Sequence, residues 1–306
     1  MRAFIFPGQG SQSVGMGKSL GEASIEARRV FEEVDDALGQ SLSQLMADGP
    51  ADELTLTENA QPAIMANAVA TLRASGIGID KADFVAGHSL GEYSALCAAG
   101  SFDVATTARL LKLRGQAMQA AAPVGAGAMA VLLGVELEAA QRFAAEGAQG
   151  QVCTVANDNA PGQAVISGDK DAVDRAVEIA KSNGFKKAML LPVSAPFHCP
   201  LMAPAAQAME GALAGAGLAA PVRPLYANVT AAPVDDPESI RRLLVEQVTG
   251  MVRWRESVTA MAQAGVTHFV EFGGKVLGPM IKRTVTDVTI TSVVTMDDIE
   301  ALVKEI

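Results

Sequence analysis

The chain has 306 residues, 49% of them hydrophobic and 19% charged, a composition that excludes a disordered chain and indicates a packed globular protein. Its formal net charge of −10 argues against nucleic acid or an anionic membrane as the main partner, and no segment has the apolar length of a transmembrane helix. Cys97, Cys153 and Cys199 show no zinc or redox spacing, so reduced thiols in a cytoplasmic protein are the expectation.

The run Ala3–Phe6 predicts a strand and is too short for a signal sequence. It leads into 5-IFPGQGSQSVGMGKS-19. A glycine loop after a strand brings backbone N–H groups toward something negative. A phosphate loop ending at Gly17-Lys18-Ser19 would need glycine where Gln12 stands, and a dinucleotide fingerprint from Gly8 would need Gly or Ala where Ser13 stands. Both nucleotide readings fail on spacing. A surface turn and a loop that serves an acyl-transfer oxyanion stay open.

Helices are predicted around 24–39 and 61–75, then a short buried strand at 84–86, the turn Gly87–Gly91, and a helix over 103–122 with Asp103 as N-cap. From 125 to 194 the pattern changes. Strand 125–133, helix 136–147, strand 152–156, a turn over 157–162, strand 163–167, helix 171–183 and strand 187–193 give the order β-α-β-β-α-β, that of a ferredoxin-like unit. After it come helix 200–216, strand 224–229, helices 237–248 and 253–264, strand 267–271, a Gly-Gly turn, a helix from Val276, and a last strand at 288–294. The expected fold is α/β, with a mostly parallel sheet covered on both faces. Its large subdomain spans 1–124 and 195–306, and the inserted α+β subdomain spans 125–194.

Gly87-His88-Ser89-Leu90-Gly91 fits the nucleophile elbow G-x-S-x-G between strand and helix. The glycines permit the sharp turn, Ser89 is exposed at it, and the Leu90 N–H faces the same space near a helix N-terminus. A serine hydroxyl needs a base. Of the histidines, His88 is expected to point away from the exposed side of the turn, and His268 begins a strand. His198, in 194-SAPFHCPLM-202, lies in the loop where the inserted unit returns to the main sheet and is the favoured base. The group that orients its ring is open between an acid and a backbone carbonyl.

Six stretches carry a resemblance over nearly the whole length: FPGQGSQ, GHSLGEYSAL, LRGQAM, ANDNAPGQAVISG, SAPFHCPLM and LVEQVTGMVRW. Together they resemble the malonyl-CoA:acyl carrier protein transacylase family. The resemblance implies an α/β-hydrolase-like core with a ferredoxin-like insertion. It implies Ser89 as nucleophile, His198 as base, and the N–H groups of Gln9 and Leu90 as oxyanion hole. It also implies that the Gln247 carbonyl holds the His198 ring and that Asn157 lies toward the pantetheine arm. Arg114 matches the family's carboxylate-binding arginine; a guanidinium fork suits a carboxylate, although residue type alone does not separate Arg114 from Arg109. Malonyl-CoA and acyl carrier protein are the expected partners, no metal or redox cofactor is expected, and the chain is expected to be a monomer in the cytoplasm. Phe197 is expected to disfavour α-methyl groups, and Lys186, Lys187, Lys275 and Lys282 are expected to form a basic surface for the carrier. A serine thioesterase of the same fold and a malonyl transferase of polyketide synthesis or malonate breakdown are the alternatives.

Overall fold

A computed structural model describes every residue from Met1 to Ile306. The first half contains β1 (Arg2–Phe6), α1 (Lys18–Ala23), α2 (Ile25–Leu38), α3 (Leu42–Asp48), α4 (Ala51–Thr55), α5 (Thr57–Ser75), β2 (Phe84–Gly87), α6 (Gly91–Ala98) and α7 (Val104–Ala120). There follow β3 (Gly127–Leu133), α8 (Leu137–Ala148), β4 (Cys153–Ala160), β5 (Gln163–Asp169), α9 (Lys170–Ser182) and β6 (Ala188–Leu190). The chain ends with α10 (Ala203–Ala214), β7 (Leu225–Ala227), β8 (Ala232–Val234), α11 (Pro237–Thr249), α12 (Trp254–Gln263), β9 (His268–Phe272), α13 (Leu277–Thr284), β10 (Thr289–Val293) and α14 (Met296–Glu305).

Strands β10, β9, β1, β2 and β7 lie side by side and parallel, and β8 closes one edge antiparallel to β7. The central strand β1 is buried on both faces, as helix-covered parallel sheets require. Its side chains alternate. Phe4 and Phe6 join the larger core on one face with α2, α5, α6 and α7, whereas Ala3 and Ile5 pack on the other face with Trp254, Val258 and Phe269.

A second, antiparallel sheet has the order β4-β5-β3-β6. With α8 and α9 packed on it, it encloses its own core around Phe143, Ile166 and Val173. This strand order is that of the ferredoxin-like β-α-β-β-α-β unit.

Two expected boundaries differ. The segment 157–160 is strand, not turn: β4 continues to Ala160, and the reversal is made by Pro161-Gly162 alone, with Gly162 at φ 66°. Asn, Asp and Pro suggested a turn, but Asn157, Asp158 and Asn159 are all buried and tied to other elements, and register shifts in the β4–β5 pairing accommodate them. Strand β6 covers only 188–190 of the expected 187–193, because Leu191–Val193 leave the sheet to line a cavity. The sequence reading also passed over α1, α3, α4, β8 and α14, although Thr295 and Asp298 form a capping box at the start of α14.

Candidate active site

The parallel sheet delivers β1 and β2 side by side, and the loops at their C-terminal ends meet. The elbow between β2 and α6 is sterically dictated. A Cβ on Gly87 would lie 1.9 Å from the Gly91 backbone, and one on Gly91 would lie 2.3 Å from the Phe6 carbonyl oxygen. Between these glycines Ser89 takes the left-handed conformation, φ 54°, a strained geometry that recurs at functional turns. The N-terminal glycine loop lies directly on the elbow, since a Cβ on Gly8 would come 2.7 Å from the His88 carbonyl oxygen. That contact accounts for glycine at position 8 and excludes a free surface turn there.

The Ser89 hydroxyl donates to His198 Nε2 across 2.7 Å. The tautomer follows from the other side of the ring. His198 Nδ1 lies 2.8 Å from the Gln247 carbonyl oxygen, which can only accept, so Nδ1 carries the proton and Nε2 is free to take one. His198 is itself at φ 57°. Burial, and then the neighbouring Arg114 charge, push its pKa down to about 3, so the ring is neutral across the working pH range.

Arg114 is 1% exposed. One guanidinium nitrogen donates to Gln61 Oε1 at 2.8 Å; the other donates to Gln247 Oε1 at 2.9 Å and to Ser89 Oγ at 3.1 Å. No carboxylate lies within ion-pair distance of it, and its Nε has no partner. A buried cation held only by neutral groups is costly unless an anion joins it. Arg109, the other arginine of α7, is exposed.

Gln9, Ser89, Arg114, Asn157, Phe197 and His198 line one cavity of about 380 Å³ between the two sheets. The backbone N–H groups of Gln9 and Leu90 have no acceptor in the protein, and Leu90 sits at the N-terminus of α6, where negative charge is favoured. Asn157 also bridges to Val252 through its backbone. His88 does not turn away from this space as expected: it lines the cavity, and its Nε2 donates to Asn159 Oδ1 at 2.8 Å. Burial lowers its pKa.

Gln61, which holds Arg114, escaped the sequence reading, as did two further polar residues at the site. Asn228 Oδ1 accepts the Ser89 N–H at 2.7 Å while Nδ2 donates to the Gly87 carbonyl at 2.7 Å, so one side chain braces both sides of the elbow. Glu92, in the first turn of α6 and 1% exposed, accepts from the Asn228 N–H and from Gln247 Nε2. Its signal was a lone carboxylate in an otherwise small and apolar helix; Asn228 left no local signal. No group of three or more His, Cys, Asp or Glu side chains gathers into a metal site, and no helix is long and apolar enough to cross a membrane.

The arrangement can therefore activate a hydroxyl, stabilise an oxyanion and hold a carboxylate in one cavity. Comparison with known proteins agrees in kind. The acyl transferase domain family matches residues 3–295. The malonyl CoA-acyl carrier protein transacylase of Bacillus subtilis is 44% identical over 286 residues, 92% of this chain and 89% of that protein. The crystal structure of the acyl-carrier-protein-S-malonyltransferase from Bartonella henselae superposes with a TM-score of 0.97 at 52% identity, covering 99% of this chain and 98% of that one. A malonyl-transacylase solved in complex with its type II PKS acyl-carrier protein superposes at 0.96, with 40% identity and coverage of 100% and 99%. The chain belongs to the acyl transferase domain family.

Proposed function

We propose that this chain transfers malonyl from coenzyme A to the pantetheine thiol of an acyl carrier protein, the step that supplies malonyl units to fatty acid biosynthesis, through a malonyl ester on Ser89. The observation that carries this reading is the Arg114 guanidinium, buried, without a carboxylate partner, and 3.1 Å from the Ser89 hydroxyl. A malonyl group has a free carboxylate at the distance of one methylene from its thioester. A guanidinium fork binds such a carboxylate through parallel charge-assisted hydrogen bonds.

In the first half-reaction Ser89 Oγ attacks the thioester carbon as its proton passes to His198 Nε2. The Gln247 carbonyl holds the opposite side of the ring and stabilises the imidazolium. The new oxyanion takes the unpaired N–H groups of Gln9 and Leu90, donors worth about 3–4 kcal/mol each in such sites. Collapse of the tetrahedral intermediate breaks the C–S bond, and His198 protonates the leaving thiolate. The substrate carboxylate also offsets the Arg114 charge, which relieves one cause of the depressed His198 pKa and strengthens the base once the correct acyl group is bound. In the second half-reaction His198 deprotonates the carrier's pantetheine thiol, the thiolate attacks the ester, and Ser89 recovers its proton. Asn157 lines the route that the pantetheine arm would follow. Every step is acid–base and nucleophilic chemistry of these side chains, with no cofactor, in a cytoplasmic monomer.

The test is product analysis with malonyl-CoA and acyl carrier protein supplied together. Carrier-bound malonate is expected; free malonate as the dominant product would identify a thioesterase instead.

A further inference from the structure

Glu92 is a buried carboxylate that the reaction steps above do not use. No cation lies within ion-pair distance of it. One of its oxygens accepts the Asn228 N–H at 3.0 Å and Gln247 Nε2 at 2.9 Å. Gln247 Nε2 also donates to the Ser89 carbonyl at 3.0 Å, while its Oε1 accepts from Arg114 at 2.9 Å. The same residue's backbone carbonyl holds His198. Glu92 is thus the only ionisable side chain that touches the Gln247 amide on the face away from Arg114.

We propose that Glu92 is a positioning residue: its carboxylate fixes which way the Gln247 amide faces and so holds the Arg114 guanidinium in place for the carboxylate of the acyl group. The two ends of an amide have nearly the same shape, so packing alone does not choose between them. Reversing this one would set its NH2 against the guanidinium donors and its oxygen against three acceptors, Glu92, the Ser89 carbonyl and, at 3.4 Å, Asn228 Oδ1. An ionised carboxylate only accepts and therefore adds its own strong preference for the observed direction. A neutral amide or a protonated carboxyl at 92 could donate as well as accept, and would weaken that preference, leaving Arg114, the Ser89 carbonyl and the more distant Asn228 Oδ1 to set it. The groups facing Glu92 are Arg114 from α7, Gln247 from α11, Asn228 from the loop after β7, and Tyr93 on its own helix; Arg114 is the only cation among them. Burial raises the Glu92 pKa to about 7, so its charge changes within the range of ordinary assays. The inference rests on the proposed role of Arg114.

The readout is the ratio of kcat/KM for malonyl-CoA to that for acetyl-CoA, which lacks the carboxylate. In Glu92→Gln the ratio falls about 10-fold, the order expected for a weakened charge-assisted hydrogen bond, and the fall lies mainly in KM for malonyl-CoA. In the wild type the ratio declines from about pH 8 to about pH 6, and Glu92→Gln removes that dependence. In an Arg114→Ala background, Glu92→Gln changes the ratio less than about twofold, because the two act through one contact. A parallel fall for both substrates in Glu92→Gln, or a wild-type ratio that is flat with pH, overturns the inference. The wild-type profile decides alone if the variant does not fold. A ratio lost in Arg114→Ala but kept in Glu92→Gln overturns this inference only; a ratio unchanged in Arg114→Ala overturns the proposed function as well.

Discussion

Arg114→Ala removes the one buried cation at the site and leaves the Ser89–His198–Gln247 chain in place. In the reading above, the buried guanidinium contributes two or more charge-assisted hydrogen bonds to the malonyl carboxylate. Removing one partner of such a buried charged pair costs about 3–5 kcal/mol. At about 1.4 kcal/mol per decade, kcat/KM for malonyl-CoA should fall by roughly two to four orders of magnitude. Acetyl-CoA has nothing to lose by this route. With the positive charge gone, one of the causes that depress the His198 pKa is also gone, so acetyl transfer should hold or rise. The assay is initial CoA release with each substrate, with thermal unfolding as a check on folding. An equal fall for both substrates in a folded variant would refute the reasoning, since it would make Arg114 part of the Ser89 activation rather than the recognition of a carboxylate.

Phe197 lines the cavity and adjoins His198, so Phe197→Leu should raise kcat/KM for methylmalonyl-CoA relative to malonyl-CoA; an equal ratio in both proteins would remove Phe197 from selectivity. Exposed Lys186 and Lys187 precede the cavity wall at 191–193, and Lys282 lies on α13, whose Leu277 and Met280 line the opposite wall. Charge reversal at these lysines should raise KM for the carrier and leave that for malonyl-CoA nearly unchanged, with a smaller effect at Lys275, which is already paired with Asp298 at 3.8 Å. An unaltered carrier KM would place the docking surface elsewhere. The raised Glu92 pKa also has a stability consequence. The folded protein holds this proton up to about pH 7, whereas the unfolded chain releases it near the ordinary value of 4.5. The contribution to stability is complete below that lower value and is lost as pH rises through about 7. Denaturant unfolding of Glu92→Gln should therefore gain about 3 kcal/mol on the wild type between those limits; a constant difference would contradict the burial argument.

What the sequence revealed follows physical locality. The elbow was readable because Gly87 answers a steric demand made by Gly91 within five positions of chain, although the demand on Gly91 itself comes from distant Phe6, and the β-α-β-β-α-β order was readable because each element carries its own periodicity. Arg114 was separable from Arg109 in principle. Thr107, Leu111, Arg114 and Met118 share the buried stripe of α7, and Arg109 lies off it; an arginine on an apolar stripe needs a reason to be there. The roles of Asn228 and Glu92 were not readable, because they exist only through contacts between positions 136 to 155 residues apart. The error over 157–160 has the same origin. Local turn chemistry suggested a loop, whereas Arg255 on Asp158 and His88 on Asn159 hold these residues in a strand.

The central claim is that the Ser89 hydroxyl, activated by His198, carries the acyl group between two thiols. Intact mass spectrometry after incubation with malonyl-CoA alone tests it most directly. The account predicts one added malonyl group on the wild type, located on the peptide containing Ser89, absent from Ser89→Ala, and discharged when carrier is added. An unmodified wild type, or a Ser89→Ala protein that still becomes acylated, would contradict it.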